Sequence, residues 1–235
     1  MSRIRKAYEA QFRSLLQAVS ARRLEQGVQW LVARAQQLSA SARIPSSRAL
    51  AQVHEALADK IARARPPATQ APNSQPSTPH SQPLFICDAG LGGLARWLRA
   101  AGHEAYWQQD IDDDDLLQEA RKLAATILTT DSILMERRVL RDKIIPAFWL
   151  PPTLGIPEQL AAVFREFGLA VAEPRCMSCG GELLRRDKES LRERIPPRTY
   201  LWLNDYFVCA RCDKLFWRGT HWERIGRQLD AIVHR

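Results

Sequence analysis

The apolar positions of the chain fall into two regimes. Between residues 4 and 61 they recur every three or four places: Ile4, Tyr8, Phe12, Leu15, Leu16 and Val19, then Leu24, Val28, Leu31, Val32, Ala35 and Leu38, then Leu50, Val53, Leu57 and Ile61. That period predicts amphipathic helices, and Ser46-Ser47 after Pro45 supply a helix start. Two or three helices over residues 1–65 predict a small bundle, a hairpin or an oligomerisation element, with Gly27 as its weak point. His54 stands alone there and reads as a surface residue.

From residue 84 the period shortens and alternates with helical stretches. Leu84-Phe85-Ile86-Cys87 predicts a strand ending at Asp88, and a helix follows from Leu91 to Ala101, stopped by Gly102. Ala105-Tyr106-Trp107 predicts a second strand, Asp112 to Leu123 a helix with an acidic first turn, and Thr126-Ile127-Leu128-Thr129 a buried strand running into Asp131. A short helix, a strand over 144–150 and a helix from Pro157 to Phe167 continue the alternation. Strands and helices alternating through short connections imply an α/β fold with a parallel sheet, whose functional groups lie beyond the carboxyl ends of the strands.

Between the two regimes, residues 66–83 hold six of the chain's 14 prolines and neither glycine nor charge. Such a segment favours extended polyproline II and cannot build a core, so it predicts a linker. The chain thus divides into a basic helical module at 1–65, a linker at 66–83, an α/β domain at 84–172 and a cysteine-bearing C-terminal element at 173–235.

Composition sharpens this picture in two ways. With 235 residues, 46% of them hydrophobic and 26% charged, the chain has the balance of a globular protein with a real core. It has no run of 18 apolar residues and no apolar stretch behind its basic start, which predicts neither a membrane span nor a secretory signal and points to the cytoplasm. The net charge of +8 is unevenly placed: residues 1–66 carry 12 Lys and Arg against 4 Asp and Glu, and the rest of the chain is balanced. A basic N-terminal quarter favours polyanions such as nucleic acid or an anionic membrane; it is equally the solvated face of a helix.

Two constellations carry candidate chemistry. Asp88 and Asp131 each follow a predicted strand, and Asp112-Asp113-Asp114-Asp115 opens the helix between them. A parallel sheet brings all three to one edge, where carboxylates repel unless a hard cation neutralises them. Mg²⁺ or Mn²⁺ takes oxygen ligands and keeps waters, which suits hydrolysis of a phosphodiester. The same acids read, alternatively, as caps of turns and helix starts. The second constellation is Cys176-Met177-Ser178-Cys179 and Cys209-Ala210-Arg211-Cys212, two CxxC pairs with 29 residues between them. Four thiolates so spaced form a closed tetrahedral Zn²⁺ site that holds structure and leaves no open position for catalysis. Arginines, Arg218 among them, interleave with aromatics around these pairs. Together they predict either a surface for single-stranded RNA, with Trp222 and His221 in contact, or the filling of a small zinc module. Cys87 is left over as a buried strand residue.

The motifs Phe85-Ile86-Cys87-Asp88, Leu91-Gly92-Gly93-Leu94-Ala95-Arg96-Trp97-Leu98-Arg99, Asp113-Asp114-Asp115-Leu116-Leu117 and Ile127-Leu128-Thr129-Thr130-Asp131 follow one another in this order. With the paired CxxC knuckles and Phe216-Trp217-Arg218-Gly219-Thr220-His221-Trp222, they resemble the PIN-like RNase family named for the C-terminal domain of the Mut-seven exonuclease, over about residues 84–228. The resemblance implies a PIN-like three-layer α/β/α domain with a C-terminal four-cysteine zinc ribbon, and metal-dependent RNA cleavage. It implies Asp88 and Asp131 as catalytic, metal-binding acids with one acid of 112–115 between them, Asp113 first and Asp115 second. Thr129 would support the Asp131 loop, and Arg96 and Arg99 would face phosphate or solvent. Two departures are visible: Thr130 stands where the family often has arginine, and residues 1–65 do not read as the ubiquitin-like module of some bacterial relatives. The expected function is a Mg²⁺- or Mn²⁺-dependent ribonuclease with a structural Zn²⁺, acting on RNA, its N-terminal helices recruiting a protein partner or self-associating. The competing expectation is a non-catalytic RNA-binding or interaction protein on the same scaffold.

Overall fold

The computed structural model describes residues 3–64 and 83–233; the proline-rich stretch expected to be a linker, Pro83 apart, lies outside the described residues. The chain separates into two compact units, one of residues 3–64 with 131–137 and 151–153, the other of 83–130, 138–150 and 154–233.

In the first unit α1 (Arg3–Ala18), α2 (Leu24–Ala42) and α3 (Ser46–Ala64) pack on one another. Tyr8 and Phe12 are fully buried, and Val28, Leu31, Val32, Ala35, Leu50 and Val53 complete the apolar faces that the three-to-four periodicity marks out. Gly27 has a packing reason: a Cβ there would come 2.8 Å from Leu16 Cδ1, so the absent side chain lets α1 and α2 approach. His54 is not the surface residue expected from its isolation in sequence. Its ring lies 5.9 Å from Tyr8 and 6.1 Å from Phe12, and burial pushes the imidazole down to about 4.

The second unit begins with β1 (Phe85–Cys87), a short 3₁₀ turn at Ala89–Leu91 and α4 (Gly92–Ala100), then β2 (Ala105–Trp107), α5 (Asp113–Leu123) and β3 (Thr126–Thr129). It continues with α6 (Arg138–Arg141), β4 (Ala147–Trp149) and α7 (Ile156–Phe167). The strands form one parallel sheet in the order β2-β1-β3-β4, with Ile86 facing Ile127 and Leu128 facing Phe148. Side chains alternate along a strand, so Phe85 and Cys87 point to one face and Ile86 to the other; all three are fully buried, so both faces are covered. One face carries α4 and α7, whose Leu94, Leu98, Leu160 and Val163 join Phe85 and Leu128 in the main core. Across the sheet, α5 packs on β3, with Leu116 and Ala120 buried. Helix α4 ends as its sequence predicts: Gly102 takes φ +93°, His103 N donates to Leu98 O, and Gly102 N donates to Arg99 O, closing the helix in a left-handed cap.

The same unit runs on into β5 (Leu183–Arg186), α8 (Pro197–Trp202), β6 (Tyr206–Cys209), β7 (Leu215–Trp217) and α9 (Thr220–Val233). The three strands form a separate antiparallel sheet, β5-β6-β7, over a small core of Leu191, Ile195, Tyr206 and Val208. Helix α9 packs on α7 and places Leu229 in the main core, which binds the cysteine-bearing element and the α/β layer into one unit.

Candidate active site and metal centre

Parallel pairing of β1 with β3 sets Asp88 at the carboxyl edge of the main sheet. Its backbone N donates to Leu128 O at 3.0 Å, extending the ladder one residue past β1. One carboxylate oxygen accepts from Ala89 N and the other from Thr129 Oγ1, both at 2.7 Å. Thr129, fully buried at the end of β3, therefore holds Asp88, a partner the sequence did not suggest for it. The pairing explains the contact: Thr129 closes the strand beside β1, so its hydroxyl meets the acid that leaves the neighbouring strand. An ionised carboxylate has about four acceptor sites, so two donors leave Asp88 able to take further partners. Trp107 Nε1 donates to Ala89 O at 2.9 Å, and a Cβ on Gly92 would lie 2.6 Å from that indole, so the glycine admits the ring that pins the turn.

The other acids divide by position. Asp112 caps α5, accepting from Asp115 N at 2.8 Å, while Asp113, Asp114 and Asp115 are exposed in the first turn. Asp131, in the first unit, accepts from Ile133 N at 2.7 Å and Leu134 N at 3.4 Å. Thr130, at the position where arginine was expected, offers its carbonyl to Trp149 Nε1 at 3.1 Å. Among the described residues, Cys176, Cys179, Cys209 and Cys212 are a group of metal-ligand side chains whose donor atoms come together. Asp88, Asp112 and Asp131 each accept a hydrogen bond from a nearby backbone N–H.

The sulfurs of Cys176, Cys179, Cys209 and Cys212 all lie within 4.8 Å of one another, with Cys176–Cys212 at 3.6 Å and Cys179–Cys209 at 3.4 Å. A tetrahedral zinc with bonds of about 2.3 Å sets its sulfurs about 3.8 Å apart, so the donor set fits that ion. Backbone N–H groups of Gly181, Arg211 and Cys212 point at the sulfurs of Cys179 and Cys209. Burial pushes the Cys209 thiol up, but the Cys212 and Arg211 N–H groups outweigh it and bring the thiol down to about 7, toward the thiolate that a metal takes. By contrast, burial pushes Cys87 up to about 12, which suits an inert strand residue.

Three guanidinium groups hold the first knuckle by its carbonyls. Arg99, only 3% exposed, donates to Ala105 O at 2.8 Å, Ser178 O at 2.9 Å and Met177 O at 3.2 Å. Arg175 donates to Gly180 O and Arg211 to Cys179 O, both at 2.8 Å, and both pair with Glu104. Arg99 therefore faces neither phosphate nor solvent, the two alternatives its sequence position left open; two of its three hydrogen bonds go to backbone 78 and 79 residues downstream. Arg96, three residues earlier on α4, is exposed. The roles of Arg175 and Arg211 had one sequence signal, an arginine adjoining a CxxC pair and one inside the other.

The aromatics of the C-terminal element divide between the small core and a stacked pair outside it. Tyr206 is buried, and Tyr200 and Trp217 pack on the small core. Trp222 stacks on Phe207 with centroids 5.5 Å apart, and the Arg218 guanidinium lies 5.5 and 5.8 Å from the two rings. His221, exposed, shares a 2.8 Å hydrogen bond with Arg224. Among the described residues no helix is long and apolar enough to cross a membrane.

A comparison with protein families matches residues 83–229 to the Mut7-C RNAse domain. No curated protein and no solved structure matches the chain. The match spans more than half of the 235 residues and runs from β1, through the carboxyl edge and the four-cysteine cluster, into α9; the protein belongs to the Mut7-C RNAse domain family.

Proposed function

We propose that this protein is a Mg²⁺- or Mn²⁺-dependent ribonuclease that hydrolyses RNA phosphodiester bonds at the carboxyl edge of its parallel sheet. The observation that carries the reading is Asp88: a carboxylate at the joint of two parallel strands, oriented by the buried Thr129 hydroxyl, within a chain of the Mut7-C RNAse domain family. Oxygen donors of Asp88, Asp131 and Asp113, or Asp115 in its place, suit a hard divalent cation. The chemistry such a cation supplies is acidification of a bound water and stabilisation of the departing oxygen. The chain's part is to hold the Asp88 carboxylate still: Ala89 N and Thr129 Oγ1 take one oxygen each, so the group reaches a partner without first losing rotamer freedom. In this reading the four cysteines hold a structural Zn²⁺, and Arg218, Trp222 and His221 contact the RNA. The basic charge of residues 1–66 adds affinity for phosphate or a protein partner.

A non-catalytic RNA-binding role is the second reading, and it draws on the caps: Asp88, Asp112 and Asp131 all accept backbone N–H groups as structural acids do. A cleavage assay separates the two. Wild type and Asp88→Asn, both zinc-loaded, are incubated with matched RNA and DNA oligonucleotides and with Mn²⁺, Mg²⁺ or no added metal. The ribonuclease reading expects RNA cut only by wild type and only with added metal. Metal-dependent cutting retained in Asp88→Asn removes Asp88 from the site, and tight binding without turnover leaves the second reading.

A further inference from the structure

A cavity of about 690 Å³ lies away from the acidic edge, framed by α8, α9 and the strands β5 and β7. Its size is that of sites that bury a small ligand. Three indoles, Trp202, Trp217 and Trp222, and Phe216 contribute to its walls. The charged and titratable side chains on it are Arg175, Arg198 and His221, and no Asp or Glu lines it. We propose that this cavity is a base-binding pocket for single-stranded RNA, taking one or two unstacked bases against Trp202 while Arg198 holds an adjoining phosphate. The proposal rests on the RNA reading above and adds a second contact point, distinct from the scissile edge.

Three observations support that occupant. Trp202 is 82% exposed, and α8, which carries it, has no buried residue, so this indole does nothing for either core. Trp222, the aromatic favoured from sequence, is already stacked with Phe207 under Arg218, which leaves Trp202 as the open aromatic face. Last, an apolar interior with Arg198 at its rim and no carboxylate in its lining complements a ligand whose flat parts are apolar and whose thread is anionic. That is single-stranded nucleic acid, in which bases stack on aromatics and phosphates meet guanidinium groups. Arg198 has no carboxylate partner among the described residues and is exposed beside the cavity. A base can enter only after leaving its own stack, so the pocket favours single strands over duplex, and an indole face reads no hydrogen-bond code, so it tolerates any base.

The test uses the full-length, zinc-loaded chain in an Asp88→Asn background to prevent turnover. The probes are fluorescent hexauridylate and the same hexamer with abasic positions. Hexauridylate should bind about 10-fold more tightly than the abasic strand. Trp202→Ala should lose about 10-fold on hexauridylate and nothing on the abasic strand, while Trp202→Phe recovers most of the loss. Arg198→Gln should weaken both probes alike. Equal affinity of the two probes, or hexauridylate binding unmoved by Trp202→Ala at unchanged zinc content and circular dichroism, overturns the pocket. Its failure and that of the ribonuclease reading are separable. Base-dependent binding by a chain that never cuts RNA leaves the pocket standing, and metal-dependent cutting without base dependence removes the pocket alone.

Discussion

Replacing Arg99 by methionine tests how firmly the four-cysteine cluster is tied to the α/β layer. The methionine fills the stem of the side chain and removes three donors, leaving the carbonyls of Ala105, Met177 and Ser178 short of a partner. Hydrogen bonds from a charged donor are worth about 1.5–3 kcal/mol each when broken one-sidedly. Two terms reduce the sum. The bonds to Met177 and Ser178 are only part-buried, so water replaces some of the loss, and removing a buried guanidinium relieves the desolvation that pushes its pKa down. The balance is about 3 kcal/mol, or roughly 6–12 °C in Tm for a unit of this size. Release of zinc to a chromogenic chelator should quicken in parallel, because the carbonyls that Arg99 holds belong to the residues between Cys176 and Cys179. Arg99→Lys keeps the charge, but a single ammonium cannot fork to three carbonyls, so it should recover less than half of the loss. An Arg99→Met protein within about 0.5 kcal/mol of wild type, releasing zinc at the wild-type rate, would refute the reasoning.

Thr129→Val keeps the shape of a fully buried side chain and removes the donor to Asp88; kcat for RNA should fall about 10-fold with KM within about twofold. An unchanged kcat would show that Thr129 does not position the acid. His54 predicts a pH dependence in the helical unit. Its folded pKa of about 4 lies below the ordinary 6.5, so folding favours the neutral ring. The associated stability, about 3 kcal/mol, is complete above pH 6.5 and is lost as pH falls toward 4. Urea unfolding followed by far-ultraviolet circular dichroism at pH 7.5 and pH 4 should show this loss in wild type and not in His54→Phe; equal losses in both would assign it elsewhere.

What the sequence displays best is what repeats locally. The three-to-four period marks the faces of α1 to α3, alternation marks the parallel sheet, and two CxxC pairs mark the cysteine cluster before any coordinate is known. Gly102 announces the end of α4 because the left-handed cap has few alternatives. What stays hidden depends on distant partners. Arg96 and Arg99 are chemically equal and three residues apart, yet one is exposed and the other is sealed against carbonyls of residues 177 and 178. Thr129 finds Asp88 across a strand boundary 41 residues away. His54 looks isolated in sequence because its neighbours, Tyr8 and Phe12, come from another helix. Trp202 is hidden in the opposite way: aromatics predict core, and nothing local says that α8 leaves this one in water.

Leu229 joins Phe85 in a single core although 144 positions separate them. In kinetic terms this is a long loop to close before the main hydrophobic cluster is complete, and non-local closure slows folding. On a ribosome adding about 5–20 residues per second, roughly 7–30 s pass between synthesis of β1 and of the Leu229 turn of α9. Once α7 has been made, its face that α9 covers stays open to other chains and to chaperones until α9 follows. Mutations in α9 therefore act on the yield of folded protein as well as on its stability, and a synonymous change that alters translation speed over residues 85–229 acts on that yield without altering a single contact.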